Sequence, residues 1–350
     1  MESRKVQEVG GGTYTVSLPR SWADTQAIEA GSVVDIHTHI DDLLVVQPRG
    51  HSDDATLRAR VRVDHDETAR LEHTLRAAYS AGAEEIRFVA ADSFTRDQRR
   101  VVNRAASELA GVTLDGGTES HLHVRTLLDA EEVSIWQSVR QLKFVTLSMY
   151  REATAALLGE RTADSVLHRD DDADRLFAIV DRHFDRSLSR LDEVDALDLT
   201  RTELFRARTI ARELDRVADH AERIATVTRR LDEPVDESLA ADVRPIAEST
   251  RTIVEDASQC VIDDGAIETA YEVLAAKDDL LDELDTLQSN LLDAGTISPR
   301  LVRAMDSLRR TAETGGNIAE LRIRSAVQTG EINDQRLGPS ANLETPPDSR

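Results

Sequence analysis

Cysteine is nearly absent from this chain of 350 residues. Cys260 stands alone, which excludes an internal disulfide, a zinc knuckle and an iron–sulfur cluster. Any metal therefore falls to carboxylates or histidines. Lysine is almost as scarce: Lys5, Lys143 and Lys277 are the only lysines among 43 basic residues. No uninterrupted apolar run approaches the ~20 residues of a membrane span. The opening Met1-Glu2-Ser3-Arg4-Lys5 leads into glycines and not into an apolar signal core. The expectation is a cytoplasmic protein without membrane insertion.

What the chain has in excess is acid. Its 66 Asp and Glu outnumber the basic residues for a net charge of −23, while 40% hydrophobic residues are too many for a disordered chain. A dense carboxylate surface with arginine as its cation is what a halophile's cytoplasm favours, because it stays hydrated and self-repelling in strong salt. That charge removes the basic signature of a whole-chain nucleic-acid binder and leaves room for a local one.

Residues 1–50 read as short strands. Val6, Val9, Tyr14, Val16 and Leu18 surround Gly10-Gly11-Gly12, and Val33 to Ile36 and Leu43 to Val46 flank an Asp41-Asp42 turn. Such a unit is too small to be stable alone, which points to a homodimer. Residues 51–130 read as a small α/β connector, with strands at 60–63, 85–89 and 122–124 and helices over 66–81 and 95–110. From about 131 the period is helical. Breaks at Gly159, 191–198, Pro234, Gly265 and Gly295 to Pro299 divide it into six helices, and 331–350 reads as a disordered tail.

The helical half repeats. Asp170-x-x-x-Asp174-x-Leu176 returns as Asp278-x-x-x-Asp282-x-Leu284, and 214–225 returns in outline as 308–319. Two tandem three-helix bundles, 131–234 and 235–330, are the simplest architecture. The whole is an α+β multidomain chain.

Three carboxylate pairs at i, i+4 put like charges on one helix face: Asp170/Asp174, Asp215/Asp219 and Asp278/Asp282. A bound hard cation could offset that repulsion. In a chain with 66 acids a solvated acidic face is the simpler explanation of an arbitrary pair. Asp215 and Asp219 are interleaved with Leu214, Val217, Ala218, Ala221 and Ile224, which brings them toward a packed seam. No histidine has an acid three residues before it, so the Glu-x-x-His ligand pair of ferritin-like oxidases is missing. His37/His39 and His121/His123 sit at i, i+2 on strand segments, as a metal grip or as plain surface. Neither a phosphate loop nor a dinucleotide glycine motif is present, and no arrangement of nucleophile, base and oxyanion donors points to an enzyme.

The segment Arg212-Glu213-Leu214-Asp215-Arg216-Val217-Ala218-Asp219-His220-Ala221 resembles the Leu-Glu-Arg-Ile-Gly-Asp-His signature of the PhoU family of phosphate-uptake regulators. Asp170 to Leu176 resembles that family's other acidic motif, and the resemblance runs over roughly 131–329. It implies metal-bearing bundles and a regulatory, non-enzymatic role in phosphate transport and signalling. By the resemblance Asp170, Asp174, Asp215 and Asp219 would hold a divalent or trivalent metal ion, with iron, magnesium, manganese and zinc all open. In the second bundle Arg309 replaces the counterpart of Asp215, and Thr314 and Gly315 replace His220 and Ala221. A complete second metal site is therefore not expected.

Residues 1–50 resemble a SpoVT/AbrB-type swapped-hairpin domain, through Arg4-Lys5-Val6, the glycines before Tyr14-Thr15-Val16, Ser17-Leu18-Pro19-Arg20-x-Trp22 and Gly31-Ser32-Val33-Val34. That resemblance implies a dimeric DNA-binding β-barrel with Arg4, Lys5 and Arg20 against the operator DNA. Together the two resemblances imply a DNA-binding regulator of phosphate uptake. One alternative is an adaptor on a phosphate ABC transporter or phosphate-responsive kinase that leaves DNA alone. A second is a carboxylate-bundle metalloenzyme.

Overall fold

The computed structural model describes residues 3–38, 43–48, 57–64, 68–231, 235–294 and 298–334. The expected Asp41-Asp42 turn, His39, the break at Pro234 and the tail from 335 onward lie outside the described residues, as does the His37 side chain.

The N-terminal unit is two hairpins around a short helix. Strand β1 (Gln7–Val9) pairs antiparallel with β2 (Thr13–Thr15) in the register Glu8↔Tyr14, closed by Gly10, Gly11 and Gly12 at positive φ. Pro19 precedes helix α1 (Arg20–Thr25). Strand β3 (Val34–Thr38) then pairs with β4 (Leu44–Pro48) in the register Ile36↔Val46. These are separate two-stranded sheets, and the barrel expected from the sequence is not closed. The reason is on the surface: Val6, Val9, Tyr14, Val16, Ile36 and Leu44 are all at least half exposed. One copy of the segment has too few strands to cover its own apolar face.

The second unit is a four-stranded sheet in the order β5-β6-β8-β7. Strand β5 (Arg58–Val63), helix α2 (Thr68–Ser80) and strand β6 (Glu85–Ala90) form a parallel crossover. Helix α3 (Arg96–Ser107) starts at a Thr95/Gln98 capping box, and β7 (Val112–Thr118) and β8 (His121–Thr126) return antiparallel. Leu71, Leu75 and Tyr79 of α2 and Val102 of α3 pack on Ile86, Phe88, Leu122 and Val124. Strand β7 was not expected. Its Gly116-Gly117 pair interrupts the alternation at a register shift between Leu114 and Gly117, which hides the strand from a period-two reading.

The helical half follows a 3₁₀ turn at Ala130–Glu132. It contains α4 (Ile135–Leu157), α5 (Asp164–Leu167), α6 (Asp170–Ser187), α7 (Leu191–Leu197), α8 (Arg201–Thr228), α9 (Glu237–Ile262), α10 (Ile267–Asp293) and α11 (Pro299–Thr329), with a final 3₁₀ turn at Glu331–Asp334. The stretch 191–198, expected as a break, is mostly the short helix α7. Side-chain caps from Ser134, Thr200, Asp236 and Ser298 start four of the long helices. Helix α4 packs on α6 and α8, and α11 packs on α9 and α10. The α8–α11 and α4–α9 contacts join the two bundles over one continuous apolar core.

Helix α6 also carries the α/β unit. Arg182, 1% exposed, donates from Nη1 to the carbonyls of Tyr79 (2.7 Å) and Ala83 (2.9 Å), with its guanidinium 4.9 Å from the Tyr79 ring centroid. Arg186 and Arg190 both reach Glu84, at 3.1 and 3.0 Å. No helix among the described residues is long and apolar enough to cross a membrane.

Candidate metal centre and nucleic-acid interface

The two acidic motifs of the first bundle meet. Asp170 and Asp174 lie on the first turns of α6, and Asp215 and Asp219 on the middle of α8, which packs alongside it. Asp215 is buried because Leu214, Val217, Ala218 and Ala221 hold that stretch of α8 against the core. Burial pushes the Asp170 carboxyl up to about 7, helped by the charges of Asp174, Glu222 and Asp219. Asp215 is likewise raised to about 7, by burial first and then by Asp174 and Asp219. Asp174 is raised by burial, against the pull of Arg76. Each motif is therefore felt by the other across the helix pair.

Two arginines partly answer this negative field. Arg212 Nη1 stands 3.3 Å from Asp215 Oδ2 while its guanidinium lies 5.2 Å from the Phe177 ring centroid. Arg76, from α2 of the α/β unit, sits 2.6 Å from Glu108 and 3.5 Å from Asp174 Oδ2. The donor set fits a hard cation in its chemistry, since it is all oxygen, with Asp215 buried and Asp170, Asp174 and Asp219 partly so. Among the described residues, no three Asp, Glu, His or Cys side chains stand where they could hold one ion together.

His220, the last residue of the signature, turns away from the acids. Its Nδ1 lies 3.3 Å from Thr311 Oγ1 on α11. Because that hydroxyl donates to the Ser307 carbonyl, the ring nitrogen is the donor. Burial and the nearby Arg223 and Arg310 lower the imidazole to about 4, so it stays neutral and staples the two bundles. On β8, His121 is tied to Thr118 and Ser120 through Nδ1. Glu222 and Arg76 were not anticipated as parts of the acidic site. Glu222 was legible, seven residues after Asp215 on the same helical face. Arg76 carried no local signal, being 98 residues from its partner Asp174.

In the second bundle the equivalent residues do not converge in the same way. Asp278 is 70% exposed and pairs with Lys277 at 2.7 Å, and Arg309 is ion-paired with Asp285. Gly316 stands where the first bundle has Glu222, and a side chain there would meet the Lys277 stem at 2.8 Å. On the N-terminal unit, Arg4 and Lys5 lead into β1 and Arg20 opens α1, all with exposed side chains. Arg20 Nε lies 3.7 Å from Asp24, one turn on.

Comparison with known proteins divides the chain the same way. Residues 139–228 match the family model of the PhoU domain, and 7–54 match that of the antidote-toxin recognition MazE, bacterial antitoxin. Nothing among the curated proteins matches. Two solved structures are similar to part of the chain. One is PhoU from Pseudomonas aeruginosa, at 20% identity and a TM-score of 0.49, covering 56% of this chain and 96% of that one. The other is the phosphate transport system regulatory protein PhoU from Streptococcus pneumoniae, at 16% identity and a TM-score of 0.47, covering 57% and 96%. The chain is thus similar to a PhoU domain over its first helical bundle and to a MazE/AbrB-like domain at its N-terminus.

Proposed function

We propose that this protein is a cytoplasmic, homodimeric regulator of phosphate uptake that binds operator DNA through its N-terminal unit and takes its input through the helical half. The observation that carries this reading is the pairing of a PhoU domain with an N-terminal unit whose apolar residues a single chain leaves uncovered. A second copy of the same segment is the natural cover: it presents the same short strands and the same exposed Val, Ile, Leu and Tyr side chains. In that dimer Arg4, Lys5 and Arg20 of both copies would face the DNA backbone, giving a local cationic surface on an acidic protein.

In the helical half, Asp170, Asp174, Asp215 and Asp219 would hold a metal ion once Arg76 and Arg212 withdraw. The ion would supply positive charge to a buried carboxylate cluster whose repulsion the protein otherwise relieves only in part. The chain's own residues do the rest. Arg76 links that cluster to the α/β unit, so a change in the cluster's charge alters how the α/β unit is held.

Pull-down of genomic DNA with the intact protein, beside the Arg4→Ala/Lys5→Ala/Arg20→Ala variant, tests this reading. Discrete promoter fragments enriched by the wild type and lost by the variant are expected. A second reading has its own support: the matched N-terminal family is described by recognition of a protein toxin, and the unit carries few cations. In that case the unit dimerises or binds protein, and the chain is an adaptor for a phosphate transporter or kinase. No DNA enrichment with an intact dimer would favour it.

A further inference from the structure

The helical half holds a second charged site, of opposite sign, away from the acidic cluster. Helices α4 and α9 meet at the junction of the two bundles and leave a cleft of about 380 Å³ between them. In a chain where acids outnumber bases 66 to 43, the lining of this cleft contains four cations and one carboxylate: Arg140, Lys143, Arg151 and Arg251 against Glu255. Two of the cations are already answered. Arg140 pairs with Asp263 at 3.1 Å and Arg251 with Glu255 at 2.6 Å.

The other two are not. Lys143, one of three lysines in the chain, is half-buried and gives its ammonium to the neutral amide of Gln259 at 2.5 Å. Burial lowers its proton affinity despite the fields of Glu255, Asp263 and Asp256. Arg151 has no side-chain partner among the described residues. The two stand eight residues apart on one helix, ~12 Å along its axis, within reach of one anionic group through their long side chains. Between them Phe144 projects its ring at the rim, 70% exposed, above a floor that includes Leu147 and Ile262.

A guanidinium without a side-chain partner and an ammonium bonded only to a neutral amide, beside an exposed aromatic platform, suit a ligand that is anionic at one end and planar at the other. We propose that the α4/α9 cleft binds a nucleotide, its phosphate held between Arg151 and Lys143 and its base stacked on Phe144. The size supports a small molecule over a protein partner. The cleft lies near the lower end of the ~300–1,000 Å³ typical of small-ligand sites, whereas a protein interface requires roughly 800 Å² of surface on each side. The site is independent of the acidic cluster and of DNA binding. It would give the helical half a second input of its own.

Calorimetric titration of the full chain with AMP, inorganic phosphate and adenosine tests the assignment. AMP should bind about ten-fold more tightly than either of its parts, since only AMP engages both ends of the cleft. Arg151→Ala should weaken AMP by about ten-fold, with partial recovery in Arg151→Lys. Phe144→Ala should weaken AMP by about five-fold and leave phosphate unchanged. Both side chains are exposed, and an unchanged circular dichroism melt would confirm that the variants fold. The proposal is overturned if AMP gives no binding up to ~1 mM, if phosphate binds as tightly as AMP, or if the variants bind AMP like the wild type. Arg151-dependent binding of an acidic peptide by a protein that ignores AMP would overturn it in favour of a protein partner.

Discussion

The two bundles are built on one plan and carry opposite solutions to the same electrostatic problem. In the first, α6 and α8 turn carboxylates toward one another until two of them are pushed to about 7. In the second, α10 and α11 present a comparable acidic sequence, but Arg309 stands where Asp215 has its counterpart and Gly316 admits the Lys277 stem where Glu222 would be. Duplication preserved the helices. Two or three side chains decided whether the face between them stores negative charge or neutralises it. The acids of the first bundle oppose folding, whereas Asp278 and Asp282 of the second lie at the surface.

The sharpest test of that contrast is cation affinity. Asp170→Asn/Asp215→Asn should abolish Mn²⁺ binding measured by calorimetry, exceeding the ~10–100-fold losses that outer-sphere changes produce. Asp278→Asn/Asp282→Asn should leave it untouched. Equal losses from both would show that the duplicated sequence, and not the local arginine pattern, determines binding. Next in size is stability without metal at neutral pH. Because burial raises Asp215 to about 7, Asp215→Asn should stabilise the chain by about 2–4 kcal/mol in urea unfolding. Asp282→Asn, at an exposed position, should stay within about 0.5 kcal/mol.

The same two acids set a pH dependence. Groups whose proton affinity is raised in the folded state bind more protons there than in the unfolded chain, so stability should fall as pH rises from about 4 to about 7. His220 acts in the opposite sense. Its affinity is lowered to about 4, so it favours folding increasingly as pH rises from 4 toward 6.5. In Asp170→Asn/Asp215→Asn the carboxylate decline should shrink to what Asp174 and other raised acids contribute, bringing out the histidine rise. Urea midpoints at half-unit pH steps would read this directly.

The acidic motifs, their helices and the tandem plan were legible in the sequence because each is a local pattern: i, i+4 spacing, apolar interleaving and repetition. The sequence also showed Arg309 in place of an acid, and the structure supplies its partner, Asp285. Three features were not legible. The N-terminal strands were readable, but whether they close a barrel depends on a neighbour that no periodicity reports. Strand β7 was hidden by its glycine pair. The role of Arg76 is a contact across 98 residues between the α/β unit and the helical half, and nothing in its own helix marks it. His220, within the signature-like segment of α8, instead joins α8 to α11.

The smallest predicted effect concerns the difference between the two kinds of arginine. Arg309 is part of its own bundle, so Arg309→Ala should free Asp285 without creating a cluster, and cation affinity should not change. Arg76 belongs to another unit and holds both Glu108 and Asp174. Arg76→Ala should raise Mn²⁺ affinity of the first bundle by about three-fold, since the cation no longer competes with a guanidinium that at this exposure contributes at most ~1 kcal/mol. In the wild type the same competition runs in reverse. Saturating Mn²⁺ should detach Arg76 from Asp174 and speed amide exchange in α2 while leaving α10 and α11 unchanged. Tighter binding in Arg76→Ala without that change in α2 would mean that the arginine merely lowers the field. Both effects together would make it the physical link by which the acidic cluster reports its charge to the rest of the chain.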